Sequence, residues 1–131
     1  MTHLFTLKAH ERLKSRKVIQ QLFKEGQSFS HFPFRIIFLE VNDQTSQLRT
    51  GFSVSKRHFK KAVDRNKIKR LMRESYRLQK NNLKDLIEKN QTGLAVFIIY
   101  TIDALPTYKD IFEKMGTALE RLQKKVSKDN L

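Results

Sequence analysis

Residues Leu48 to Arg77 read LRTGFSVSKRHFKKAVDRNKIKRLMRESYR, and the chain changes its period inside them. Leu48 to Ser55 has the look of a strand, whereas Ala62 to about Lys80 returns its apolar residues at helical spacing. On a helical wheel Ile68, Leu71, Met72, Ser75 and Leu78 gather on one side, which must pack on a sheet. Arg65, Asn66, Lys69, Arg70, Arg73 and Arg77 occupy the opposite side. A strand leading into a two-faced helix is the unit from which the rest of the fold is read.

Upstream, Ser15 is placed to cap a first helix whose apolar side is Val18, Ile19, Leu22 and Phe23, with Gly26 as its stop. From Phe32 to Val41 the period is two. Phe32, Phe34, Ile36 and Phe38 form the expected core face, and Arg35, Ile37, Leu39 and Val41 point the other way. Asn42 to Ser46 is a polar turn, so this strand and Leu48–Ser55 read as an antiparallel hairpin. A short extra strand around Ser28 is only faintly signalled. Downstream, Gly93 opens LAVFIIYT, an apolar run of strand length suited to a buried place in the sheet. Pro106 and Thr107 introduce a last helix, capped by Thr107 with Asp110 in its first turn. Its Tyr108, Ile111, Met115, Ala118, Leu119, Leu122 and Val126 share one arc. The expectation is a single α+β domain over residues 1–131, in the order α-β-β(-β)-α-β-α. Its core spans about residues 10–126, and both ends, including the tail from Ser127 to Leu131, should fray.

Composition agrees with one modest domain. The chain has 131 residues, 39% of them apolar, two prolines and no cysteine. Without cysteine there is no disulfide scaffold and no thiolate zinc site. No apolar stretch approaches the roughly 18 residues of a membrane span, and MTHLFTLKAHERLK has no signal-peptide core. These features point to a soluble, cytoplasmic protein.

Charge narrows the function. Lys and Arg number 27 against 13 Asp and Glu, a formal charge of +14, and the window Lys56–Lys80 alone holds 11 cations and two acids. An ordinary solvated helix face mixes Glu with Lys to gain i,i+4 pairs. Here five of the six outward positions are cationic, so the helix repels itself and calls for an external polyanion, nucleic acid before membrane. Arg65, Arg70, Arg73 and Arg77 favour forked engagement of phosphate. The lead-in loop adds Lys56, Arg57, Lys60 and Lys61 beside the helix N-terminus, a second phosphate-binding surface. His58, alone in that loop, reads as a surface residue.

Protein-borne catalysis finds no support. A two-metal phosphodiesterase needs clustered carboxylates. Asp64 and Glu74 are ten residues apart, one a helix-start acid and the other a seam residue. His3, His10, His31 and His58 show no metal-ligand spacing, and the four glycines form no phosphate-cradling loop. No catalytic residue and no metal ligand is therefore assigned. A membrane-surface role fits poorly, because the basic helix needs its apolar side for the sheet.

The stretch Leu48–Arg77 closely resembles the signature of the bacterial ribonuclease P protein subunit. The family's Arg-Asn-x-x-Lys-Arg-x-x-Arg core stands here as Arg65, Asn66, Lys69, Arg70 and Arg73, and its lead-in as Gly51 to Arg57. Arg12-Leu13-Lys14 followed by Val18 to Gly26 resembles its first helix, and the likeness covers about residues 10–126. The resemblance implies a domain in which the basic helix crosses between parallel strands with left-handed connectivity, against the general right-handed rule. It implies a protein that binds a catalytic RNA carrying Mg²⁺ and the 5′ leader of precursor tRNA, with no cofactor on protein side chains and no DNA partner. It also implies a leader cleft between the first helix and the sheet, at Ile19, Phe23, Arg35 and Ile37. Ile19 and Ile37 stand where relatives often carry aromatics, so Phe23 is the expected platform, with a plain core role for its ring as the alternative. A ribosomal or general RNA-binding module is the alternative, and only the Leu48–Arg77 signature argues against it.

Overall fold

The computed structural model describes residues 12–13, 15–41 and 47–128, with side chains to residue 126. The expected turn at Asn42–Ser46, Lys14, His3, His10 and residues 129–131 of the tail lie outside the described residues. Eight elements follow one another: α1 (Arg16–Glu25), β1 (Gln27–His31), β2 (Phe34–Val41), β3 (Leu48–Val54), α2 (Ala62–Gln79), α3 (Asn81–Asn90), β4 (Gly93–Tyr100) and α4 (Tyr108–Lys128). None of these helices is long and apolar enough to cross a membrane.

Local chemistry sets the ends of α1. Ser15 Oγ accepts from the Val18 N–H at 3.3 Å, and the Gly26 N–H returns to the Leu22 carbonyl at 2.8 Å. Gly26 has no room for a side chain, since a Cβ there would collide with the Leu22 carbonyl. At the other end of the chain, Thr107 Oγ1 accepts from the Asp110 N–H at 3.2 Å and starts α4 as its sequence foretells.

The four strands form one mixed sheet in the order β1-β2-β4-β3. This corrects the expected hairpin of Phe32–Val41 with Leu48–Ser55. The hairpin is β1 with β2, and β4 lies between β2 and β3, antiparallel to the first and parallel to the second. The reason is the apolarity of LAVFIIYT. A strand buried on both faces gains most at the centre of a sheet, whereas β3, with Arg49, Gly51 and Ser53 on one side, tolerates an edge. The faint strand signal at Ser28 is β1. Phe32 leaves the expected core face, because it stands in the Phe32–Pro33 turn, 66% exposed.

α2, α3 and α4 pack on one face of the sheet. Phe34, Ile36, Phe38, Val96, Ile98 and Tyr100 meet Ile68, Met72, Tyr76, Leu83, Ile87 and Met115 there. Fully burying side chains of this size contributes about 1.5–3 kcal/mol each. The inner side of α2 is Ile68, Met72, Ser75 and Tyr76; Leu78, expected inside, is 36% exposed. Tyr76 takes the inward place because its hydroxyl finds a buried partner on β3, described below. The sequence pattern predicts no helix at α3. Its ten residues carry only Leu83 and Ile87 as fully buried anchors, one turn apart, too short a pattern to stand out from a polar connection. α1 covers the opposite face, where Leu22 packs with Leu13, Ile37 and Ala95 in a second, smaller cluster.

Candidate nucleic-acid interface

The basic helix begins at a loop that fastens itself. Ser55 Oγ accepts from the Arg57 N–H and the Ser55 carbonyl accepts from the Phe59 N–H, while the Phe59 ring is buried against Tyr100. Arg65 then reaches back from α2. Its Nη1 donates to the Phe59 carbonyl at 2.7 Å and to the Lys60 carbonyl at 2.8 Å. Arg65 thus holds the loop, and Lys56, Arg57, Lys60 and Lys61 are left exposed around the start of the helix. Asp64 lies in the first turn of α2, where an acid complements the helix dipole.

Further along α2 the outward residues divide. Asn66, Arg70 and Arg73 are exposed and Lys69 is half-buried. Among the described residues none of Lys69, Arg70 or Arg73 forms an ion pair. Arg77 does, with Glu74, through its Nη2 and a second hydrogen bond from Nε at 3.3 Å. Glu74, a seam residue by its pattern, is instead exposed and engaged by that arginine.

Beside this face lies a cleft of about 350 Å³, lined by Arg12, Leu13, Thr50, Gly51, Phe52, Arg73 and Phe97. The segment before α1 builds one wall. Arg12 bridges to Thr50 in parallel fashion, and the Leu13 N–H donates to the Thr50 carbonyl at 3.1 Å. Gly51 permits the floor. A Cβ there would lie 2.8 Å from Phe97 Cδ1, so only glycine lets the Phe97 ring lie across β3.

The four residues expected in a leader cleft are not equivalent. Phe23 is 53% exposed and sets its ring edge-on against Phe97, centroids 5.4 Å apart. Arg35 is exposed on the same sheet face, its Nη2 donating to Ser28 Oγ at 3.4 Å. Ile37, opposite Phe97 in register, is only 6% exposed beneath α1, and Ile19 is half-buried in the same cluster. The two isoleucines therefore support the surface that Phe23 and Phe97 present. None of the four lines the cleft beside α2 itself, which Phe23 reaches only through the Phe97 ring. The apolar run around Phe97 concealed a half-exposed ring, and the glycine inside the β3 pattern was the available signal for a close approach.

Among the described residues no three His, Asp or Glu come together as a metal site, and Glu74 is taken by Arg77.

The sequence profile of the ribonuclease P family matches residues 7–123. The chain belongs to the ribonuclease P protein family. A ribonuclease P protein component from Porphyromonas gingivalis is 34% identical over 119 residues, covering 90% of this chain and 87% of that protein. The ribonuclease P protein of Thermotoga maritima superposes with a TM-score of 0.65 at 28% identity, covering 85% of this chain and 96% of that one. That of Staphylococcus aureus gives 0.64 at 26% identity, over 88% and 96%. On this ribonuclease P protein fold the cationic face and the cleft meet at one side chain, Arg73.

Proposed function

We propose that the chain is the RNA-binding subunit of a cytoplasmic ribonuclease P, the endonuclease that removes the 5′ leader of precursor tRNA. Its family makes it a protein component of a ribonuclease complex. In this reading the loop cations and the outer face of α2 hold the catalytic RNA, and the cleft takes the single-stranded leader. The RNA carries the active site and its Mg²⁺, and the protein contributes position and charge.

The observation that carries the reading is the double membership of Arg73. It stands exposed among the cations of α2 and also lines the cleft floored by Phe97. A cationic rail beside aromatic rings is the arrangement that holds single strands, phosphates on one side and bases on the other. The test is reconstitution. The pure protein should restore leader removal by its cognate catalytic RNA at low Mg²⁺. Unchanged cleavage on adding the protein would reject the reading in favour of a general RNA-binding module.

A further inference from the structure

The sheet has two edges, and the cations of α2 and its lead-in loop belong to the β3 side. A second set borders β1, the opposite edge. On α4, Lys114, Thr117, Arg121 and Lys125 recur at spacings of three and four, forming one stripe. Arg121 Cζ stands 4.8 Å from the centroid of the Phe29 ring, and Lys125 Nζ stands 5.2 Å from the same ring.

Arg121 is locked in place. Its Nη1 donates to the Ser30 carbonyl at 2.9 Å and to His31 Nδ1 at 3.0 Å. His31 Nε2 donates in turn to Thr117 Oγ1 at 2.7 Å, and that hydroxyl donates to the Lys114 carbonyl at 3.1 Å. The tautomer follows from this network, in which each group passes its proton onward. A proton on Nδ1 would face the arginine, and His31 is accordingly held below the usual imidazole pKa by burial and by the charges of Arg121 and Lys114.

Two features ask for an anion here. Nε and Nη2 of Arg121 have no hydrogen-bond partner among the described residues, so a guanidinium fixed through one nitrogen keeps donors to offer. Arg121 and Lys125 are also like charges, four residues apart and held over one ring, with no ion pair among the described residues. The ring attracts both cations but neutralises neither. A phosphate answers both needs, since it accepts from an arginine fork and a lysine together.

We infer that the β1–α4 edge is a second RNA-backbone site, in which Arg121 and Lys125 hold the phosphates of a segment distinct from that on α2. It shares with the proposed function only the premise that the ligand is RNA. With cations on both edges, the protein bridges two RNA segments rather than lying against one.

The test uses the full chain and the double variant Arg121→Met/Lys125→Met, which keeps apolar cover on Phe29 while removing both charges. Affinity is measured against salt in two arms: catalytic RNA with protein alone, and precursor tRNA with the assembled complex. In at least one arm Kd should rise, and the log–log salt slope should become shallower by roughly one unit per lost phosphate contact. The responding arm names the RNA held. Unchanged affinity and slope in both arms overturn the proposal. If a thermal melt finds the double variant unfolded, Lys125→Met alone carries the test, with Lys125→Arg expected to restore the slope. Arg73→Ala is run beside them. A response there with none at the β1 edge rejects this site alone, and silence at both rejects the basic-helix reading as well.

Discussion

The hydroxyls of Tyr76 and Thr50 meet at 2.6 Å in the interior, tying α2 to β3. Both residues are almost fully buried, at 1% and 2% exposure. Tyr76 points inward one turn after Arg73, so this bond helps fix the rotation of α2 that turns Arg73 toward the cleft. Tyr76→Phe leaves the Thr50 hydroxyl without this partner and should cost about 1–3 kcal/mol of stability. Adding Thr50→Val should recover part of that loss, because removing both partners is milder than orphaning one. Thermal melts of the two single variants and the double variant form the cycle that checks this.

Phe23 is half-exposed and packs by its edge on Phe97, so it is poorly placed to be a stability anchor. Phe23→Ala removes an aromatic pair worth about 0.5–1.5 kcal/mol beyond its buried area, and should cost less than the roughly 3–5 kcal/mol of truncating a fully buried phenylalanine. Under the proposed function it should weaken precursor tRNA binding by about tenfold, since stacking on one base is worth roughly 1–3 kcal/mol. Mature tRNA, which lacks a leader, should be unaffected. Equal losses for both RNAs would remove Phe23 from the cleft.

Arg65 and Arg73 belong to one motif and should behave differently. Arg65→Gln breaks the hold on the Phe59 and Lys60 carbonyls and should loosen the loop in the free protein. Faster tryptic cleavage between residues 56 and 61, measured without RNA, is the readout. Arg73→Ala should leave that cleavage unchanged while making the salt dependence of RNA binding shallower by about one unit.

His31 gives a pH dependence of defined sign. Its folded pKa lies below the ordinary value, so at falling pH the unfolded chain takes up a proton before the folded one. The stabilising difference is fully present above the unfolded pKa and is lost as pH drops through the folded one. Melts from about pH 7.5 to about pH 5 should show stability declining through this window. In His31→Gln the decline should be smaller. An identical slope in both proteins would remove His31 as its source.

How far the sequence speaks depends on how local the signal is. The caps at Ser15 and Thr107, the stop at Gly26 and the two-sided character of α2 are each fixed within a turn or two of chain, and the structure has them where the pattern puts them. Strand pairing is not local. Nothing between Phe34 and Val54 announces that a strand some forty residues later will separate β2 from β3. The cleft suffers in the same way. Leu13, Gly51 and Phe97 come from three distant segments, and only Gly51 carries a trace of the approach it permits. Arg65 shows a further limit, because its charge was legible but its inward reach depends on where the Phe59 and Lys60 carbonyls end up.

The sheet order also dictates a history for each new molecule. Emerging from the ribosome, the chain releases β1, β2 and β3 long before β4, yet β2 and β3 share no ladder. Until Tyr100 has appeared, the nascent protein can form the β1–β2 hairpin but not the sheet, and one side of β2 and the β4-facing side of β3 lack their neighbours. Closure of the sheet waits for β4, which pairs with both β2 and β3. Long-range pairing of this kind is slow and leaves bare edges exposed to other chains while it waits. The strand that holds the finished sheet together is thus the last of the four that synthesis supplies.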